Sequence, residues 1–194
     1  MEKTSSALAP KPLMPQNLEA EQAILGAILA NNRVYERVTE FLRAEHFADP
    51  VHGRIYTAIE RLIERGQLAN ALTLKTYFAQ DEGLQAVGGA EYLARLEGSV
   101  ASFVGVEDYG MAVFESFLRR ELIEIGSDMI ASAANPDLED PAKGQIEQAE
   151  QKLFNLATKG ASQGNMLTFI ESLKQAIHTA EQAAKRGGGM TGIT

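Results

Sequence analysis

The chain of 194 residues has the composition of a folded globular protein, because 45% of its residues are hydrophobic and 23% are charged. Its formal net charge of −8, with 18 scattered lysines and arginines, argues against a general affinity for nucleic-acid phosphates, and the lack of cysteine excludes disulfides, thiol nucleophiles and cysteine-bound zinc. No apolar run approaches the roughly 20 residues that cross a bilayer, so we expect a cytoplasmic protein with no membrane partner.

The stretch 18–30, LEAEQAILGAILA, is predicted to form the central helix of a globular head. It is apolar around most of its circumference after a polar first turn that contains Glu19, Glu21 and Gln22. A helix of this kind is normally buried. Asn17 is the expected N-cap, and the glutamates complement the positive end of the helix dipole.

Two longer helices are predicted next. The second carries Val34, Val38 and Leu42 at helical spacing. Asp49-Pro50 marks the start of the third, because aspartate caps a helix and proline fits its first position. Gly66 is expected to end the third helix in the left-handed conformation.

Two short helices are predicted to complete the head. Thr73 is expected to open the first, which packs Leu74, Tyr77 and Phe78 and stops at Gly83. Gly88-Gly89 leads into the second, which carries Tyr92.

A long helical hairpin is predicted from Val106 onward. Asn135-Pro136 breaks its first helix, and Asp140-Pro141 starts its second. Apolar residues recur at steps of four and three, as in coiled coils. One hairpin cannot bury these stripes together with flanking residues such as Phe114 and Phe117, so we expect part of the surface to contact another subunit. The self-association candidates are Leu118, Leu122, Ile125, Ile146, Leu153 and Phe154.

The remainder is predicted to be a flexible linker that carries one amphipathic helix, residues 169–186. Thr168 and Glu171 have the spacing of a capping box, and the triple glycine 187–189 follows the helix. An isolated helix of this length is marginally stable in water, so it is expected to require a docking surface. Its expected docking face consists of Ile170, Leu173, Ile177 and Ala180.

These patterns divide the chain into four parts. Residues 1–16 contain three prolines and no periodicity, and are predicted to be a disordered arm. The globular head is assigned to 17–103 and the helical hairpin to 104–159. The linker with its helix is assigned to 160–194.

The segment PQNLEAEQAILGAIL resembles the opening of the DnaB family of bacterial replicative DNA helicases. Four further matches follow in order along the chain: DPVHGRIYTAIERLIERG, LTLKTYF, VGGAEYLARL and MTGIT. Together they extend the resemblance from Pro15 to Thr194. The resemblance implies an all-α fold, with a compact orthogonal helical bundle followed by a long helical hairpin and a separate tethered linker helix.

The resemblance also implies a non-catalytic role in a ring-shaped helicase that unwinds duplex DNA at the replication fork. In the family, this domain self-associates through the hairpin, as dimers within a hexamer (a trimer of dimers), and it binds primase on its outer face. The linker helix packs on a neighbouring motor domain. A helicase loader is a further expected partner, and DNA is contacted only through the full-length ring. By position in the family pattern, the expected primase contacts are Glu19, Tyr92, Ile123 and Met129.

No nucleotide-binding or catalytic motif is found in the sequence. It contains no GxxxxGK[ST] phosphate-binding loop, no GxSxG and no HExxH. The family continues into a RecA-like motor domain, before which this chain is expected to stop. We therefore expect no catalytic residue and no cofactor here, with ATP and Mg²⁺ confined to the motor domain.

Two alternative functions stay open at this point. A helical DNA-binding module is disfavoured by the net acidity and the scattered basic residues. A metal-dependent hydrolase would use His46 and His52, which flank Asp49. It is disfavoured because short His/Asp spacings without a recognised ligand pattern are usually polar loop residues.

Overall fold

The computed structural model describes residues 13–100, 103–135 and 141–161, and within these ranges the chain folds into helices without a strand. The all-α prediction is confirmed. The linker helix and its docking face lie outside the described residues, as does most of the N-terminal arm. The helices are α1 (Leu18–Ala30), α2 (Arg33–Val38), α3 (Pro50–Glu64), α4 (Ala71–Tyr77), α5 (Glu82–Ala86), α6 (Gly89–Gly98), α7 (Val106–Ala134) and α8 (Ala142–Ala161), with a 3-10 turn at Ala44–His46.

Helix α1 is the centre of the head, as predicted, because it packs against α2, α3, α6 and α7. The Asn17 side chain caps it by accepting a hydrogen bond from the Ala20 amide at 3.0 Å. Gly26 allows α6 to approach closely, since a Cβ atom at this position would overlap the Leu96 carbonyl oxygen. The expectation of a solvated polar first turn is wrong at Glu21, whose side chain is buried against α3 and the residues just before it.

The start of α3 agrees with the sequence. Asp49 Oδ1 accepts a hydrogen bond from the Val51 amide at 2.8 Å, Pro50 occupies the first helical position, and Gly66 follows the helix with a φ of +69°. The second helix is shorter than its spacing suggested. It ends at Val38, and the chain then passes through turns and the 3-10 turn before α3.

The short helices α4 and α5 correct the prediction for this region. Asn70, not Thr73, caps α4; its Oδ1 accepts from the Thr73 amide at 2.9 Å, and Thr73 Oγ1 accepts from the Asn70 amide at 3.0 Å. Leu74 and Phe78 are buried, as expected, whereas Tyr77 is half exposed. Gly83 does not stop a helix, because it lies inside α5.

Helix α7 belongs to two parts of the molecule. Its first three turns enter the head, where Val106, Val113, Phe114 and Phe117 are buried. The partner that covers the two phenylalanines is the head of the same chain, since both pack on the His46 ring, with centroids 4.9 and 4.4 Å away. The rest of α7 extends from the head and pairs with α8. None of the described helices combines the length and apolar character that a membrane span requires.

Candidate protein-interaction site

The second half of α7 and helix α8 form an antiparallel hairpin with a shallow groove between them. Lys152 on α8 reaches Asp128 on α7 at 2.7 Å, and Gln145 donates to the Ser132 carbonyl oxygen at 3.5 Å. The groove has a volume of about 230 Å³, and Ala149 is buried at its floor. The two helices are therefore joined by these polar contacts and by a narrow apolar contact that buries Ala149 and Leu156.

Large apolar side chains of the hairpin form a stripe that stays exposed to solvent. Met129 and Ile146 of this stripe line the groove between α7 and α8, because two helices alone leave part of their contact surface uncovered. The large apolar side chains concerned, with their exposed fractions, are Leu122 (50%), Met129 (47%), Ile130 (73%), Ile146 (59%), Leu153 (42%) and Phe154 (65%). Exposed large side chains grouped in this way are typical of a protein-interaction surface.

The predicted contact residues fall on two separate surfaces. Of the self-association candidates, Leu118 and Ile125 are partly buried, whereas the other four belong to the exposed stripe of the hairpin. Ile123 and Met129, expected to contact primase, are also on the hairpin. Glu19 on α1 and Tyr92 on α6 belong to the head, where Gln22 of α1 donates to the Tyr92 hydroxyl at 3.3 Å.

The base of the hairpin is fixed to the head by charged side chains. The Arg120 guanidinium donates to the Pro15 and His46 carbonyl oxygens at 2.9 and 2.8 Å, and burial lowers the pKa of this arginine. Lys159, near the end of α8, approaches Glu45 at 3.4 Å and lies 5.9 Å from the centre of the Phe117 ring. An Arg37–Glu107 ion pair links α2 to the start of α7.

Sequence reasoning missed a buried polar network in the head. Glu21 Oε2 is 2.7 Å from His52 Nδ1, and His52 Nε2 is 2.5 Å from the Tyr92 hydroxyl. Gln22 donates to the same hydroxyl at 3.3 Å. A signal for His52 was present, because it shares the buried face of α3 with Tyr56 and Ile59 at helical spacing. Its partners lie on other helices and leave no local pattern.

The two histidines are not polar loop residues, since both side chains are buried. His46 Nδ1 accepts a hydrogen bond from the Arg43 amide at 3.0 Å, and desolvation lowers the pKa of the His46 imidazole to about 4. His52 is engaged by Glu21 and Tyr92 instead. Within the part of the chain that the structure describes, no group of three or more histidine, aspartate or glutamate side chains could hold a metal ion.

Comparison with known proteins gives a consistent result. The profile of the family described as "DnaB-like helicase N terminal domain" matches residues 13–115. The replicative DNA helicase DnaB of Rickettsia conorii is 40% identical over 182 residues, which are 94% of this chain and 37% of that protein. The chain thus spans little more than a third of the length of such relatives.

Two solved structures are similar to this fold. The crystal structure of the N-terminal domain of DnaB helicase from Mycobacterium tuberculosis matches with a TM-score of 0.68 and 29% identity, over 74% of this chain and 99% of that one. A structure titled as a DnaB-like replicative helicase and its interactions with primase matches with a TM-score of 0.57 and 27% identity, over 81% of this chain and 35% of that one.

Proposed function

The chain belongs to the DnaB-like helicase N terminal domain family, and from that premise we propose that it is the non-catalytic assembly and primase-recruiting part of a ring-shaped replicative DNA helicase. Its hairpin joins subunits into dimers within the ring, and its outer surface binds primase. Duplex unwinding belongs to an ATP-hydrolysing motor domain, and ATP and Mg²⁺ are bound there and not by the residues of this chain. Because such a helicase acts on the chromosome, its location is the bacterial cytoplasm.

The observation that carries the assembly role is the exposed apolar stripe of the hairpin. Each exposed Å² of apolar surface that a partner covers contributes on the order of 25 cal/mol, so several large side chains together supply a substantial driving force. A second copy of the chain offers the same stripe, as a two-fold symmetric dimer requires. Lys152 and Asp128 are already paired within the hairpin, which leaves the apolar residues as the main source of affinity.

Self-association is tested by placing a charge on the stripe. Ile146→Glu should shift the chain toward monomer in sedimentation or light scattering, because a buried unpaired carboxylate opposes association. Leu72→Glu is the matched control, since Leu72 is 75% exposed but lies on the head, away from the hairpin. An equal effect of both substitutions, or a wild-type chain that is monomeric at every concentration, would contradict the assembly role.

Support for primase binding comes from the similar structure of a DnaB-like replicative helicase and its interactions with primase, together with the exposed position of Met129 and the hydrogen bond that joins Gln22 of α1 to Tyr92 of α6. Tyrosine and methionine are common anchors at protein interfaces. Tyr92→Ala and Met129→Ala should each weaken primase binding in calorimetry, by roughly tenfold or more if the residue is a hot spot. Lys75→Ala, a substitution elsewhere on the head, should leave it unchanged.

The DNA-binding alternative has a simple test of its own. If this chain gripped single-stranded DNA, its affinity would fall steeply with salt, because each neutralised phosphate releases counterions. With a net charge of −8, we expect no such binding at physiological salt. A measurable affinity with a steep salt dependence would favour the alternative.

A further inference from the structure

The Glu21–His52–Tyr92 network runs from the core of the head to its surface, and for a neutral His52 its hydrogen-bonding roles follow from the groups around Glu21. The Glu21 carboxylate accepts from the Ala48 and Asp49 amides at 2.7 and 3.3 Å, so it acts as an acceptor. Its distance of 2.7 Å to His52 Nδ1 then requires Nδ1 to carry the hydrogen. In the neutral imidazole, Nε2 is consequently the acceptor.

The Tyr92 hydroxyl occupies the outer end of the network. Burial is the main reason why the pKa of Tyr92 is raised, so the phenol keeps its hydrogen. That hydrogen is directed at His52 Nε2, 2.5 Å away, and Gln22 Nε2 donates to the same oxygen from the other side at 3.3 Å. Only acceptor capacity remains on the hydroxyl for a group outside the head.

The surroundings of Tyr92 also favour a hydrogen-bond donor as the external group. Glu19 is exposed and lies one turn before Gln22 on the same face of α1, so it adds a carboxylate to this surface. Arg95 lies over the Tyr92 ring, with its guanidinium carbon 5.5 Å from the ring centre, and it donates to the Val87 carbonyl oxygen at 3.3 Å.

We propose that Glu21 and His52 are positioning residues that turn the Tyr92 hydroxyl inward, so that the head presents an oxygen acceptor that selects a donor side chain, arginine or lysine, on the bound primase. This inference rests on the proposed function, because it requires Tyr92 to lie in the primase contact. Beyond the proposed function, the inference names the chemical group that Tyr92 offers to primase and the two buried residues, Glu21 and His52, that orient this group. His52 is thereby a determinant of recognition although it is itself inaccessible to a partner.

The first test reads the tautomer directly in the free chain. In nitrogen-15 spectra of histidine-labelled protein at mildly alkaline pH, His52 should carry its hydrogen on Nδ1, with Nε2 bare. Tyr92→Phe should shift the Nε2 resonance, because it removes the donor to that nitrogen. A hydrogen on Nε2 would overturn the inference while leaving primase binding by the head intact as a proposal.

The second test compares two substitutions at His52. His52→Asn retains an amide donor near the position of Nδ1 but offers nothing to Tyr92, whereas His52→Gln reaches the position of Nε2 and can supply an acceptor there. One lost hydrogen bond corresponds to roughly a three- to tenfold loss of primase affinity, which we expect for His52→Asn and Tyr92→Phe. His52→Gln should restore most of it.

A double-mutant cycle completes the second test. If His52 acts through the hydroxyl, then His52→Asn combined with Tyr92→Phe should bind primase no more weakly than Tyr92→Phe alone. Additive losses would mean that His52 only supports the fold and would overturn the inference. If Tyr92→Ala leaves primase affinity unchanged, both the inference and the role of Tyr92 in the proposed function fail. Thermal unfolding of each variant identifies losses caused by misfolding.

Discussion

His46 shows how a single buried residue sets the acid tolerance of this fold. Its ring packs against both Phe114 and Phe117, and the Arg43 amide donates to its Nδ1, so the site favours the neutral imidazole. Protonation would place a charge among aromatic side chains next to Arg120, whose guanidinium binds the His46 carbonyl oxygen. The residue therefore links the stability of the joint between head and hairpin to pH.

The pKa of His46 is about 4 in the fold, against an ordinary value of 6.5. The folded state thus binds fewer protons than the unfolded state between these values, and stability is lost as the pH falls through this window. The loss attributable to His46 reaches about 3 kcal/mol. Urea unfolding should show this loss as a lower free energy of unfolding near pH 4 than at neutral pH.

His46→Asn is the matched variant for this measurement. Its side-chain oxygen can still accept from the Arg43 amide, but the group does not titrate. It should be less stable than the wild type at neutral pH and lose less stability on acidification. Parallel pH profiles for the two proteins would contradict the assignment.

Glu21 explains why residue-level predictions failed where they did. A glutamate in the first turn of a helix is usually solvated, and the local sequence around Glu21 contains nothing to indicate otherwise. Its partner His52 is 31 residues away, and Tyr92 is a further 40 along the chain. Pairings of this kind become visible only when three helices have been packed together.

At the scale of elements, most of the head could be predicted because its helices carry local start and stop signals. Three of these signals are confirmed by the structure. Asn17 and Asp49 each accept a hydrogen bond from a nearby backbone amide at a helix start, and Gly66 has a positive φ after a helix end. The error at the start of α4 concerns Asn70 and Thr73, three positions apart, because both are residue types that cap helices and each binds the other's amide. Periodicity placed Phe114 and Phe117 on α7 but could not tell whether the head or another subunit would cover them.

Close packing of α1 on α6 can be tested with two glycines. Gly26→Ala should destabilise the chain by about 1–3 kcal/mol, because the new methyl group would overlap the Leu96 carbonyl oxygen and force the helices apart. Gly126→Ala, in the middle of α7 with open space around it, should stabilise the chain by roughly 0.5–1 kcal/mol. Chemical denaturation of both variants gives the comparison. Equal effects of the same sign would show that α1 and α6 are not packed as described.

At the scale of the whole molecule, the exposed stripe of the hairpin makes stability depend on concentration. Only the folded chain can associate through this stripe, so association stabilises the folded state. The midpoint of thermal unfolding should therefore rise by about 2–4 °C for each tenfold increase in protein concentration. Ile146→Glu should flatten this dependence, whereas Leu72→Glu should retain it. Scanning calorimetry over two decades of concentration distinguishes the variants. A wild-type midpoint that does not move would argue that the stripe remains uncovered in solution.

The continuity of α7 across head and hairpin has a mechanical consequence. Its 29 residues form one rod of about 44 Å, and the part beyond Phe117 is a lever arm of about 26 Å. The base of this arm is held to the head by two side chains. Arg120 donates to the Pro15 and His46 carbonyl oxygens, and Lys159 pairs with Glu45. A tilt of about 10° at that point displaces the tip of the hairpin by roughly 4–5 Å, on the scale of a helical turn. Small adjustments within the head are thereby amplified at the far end of the hairpin.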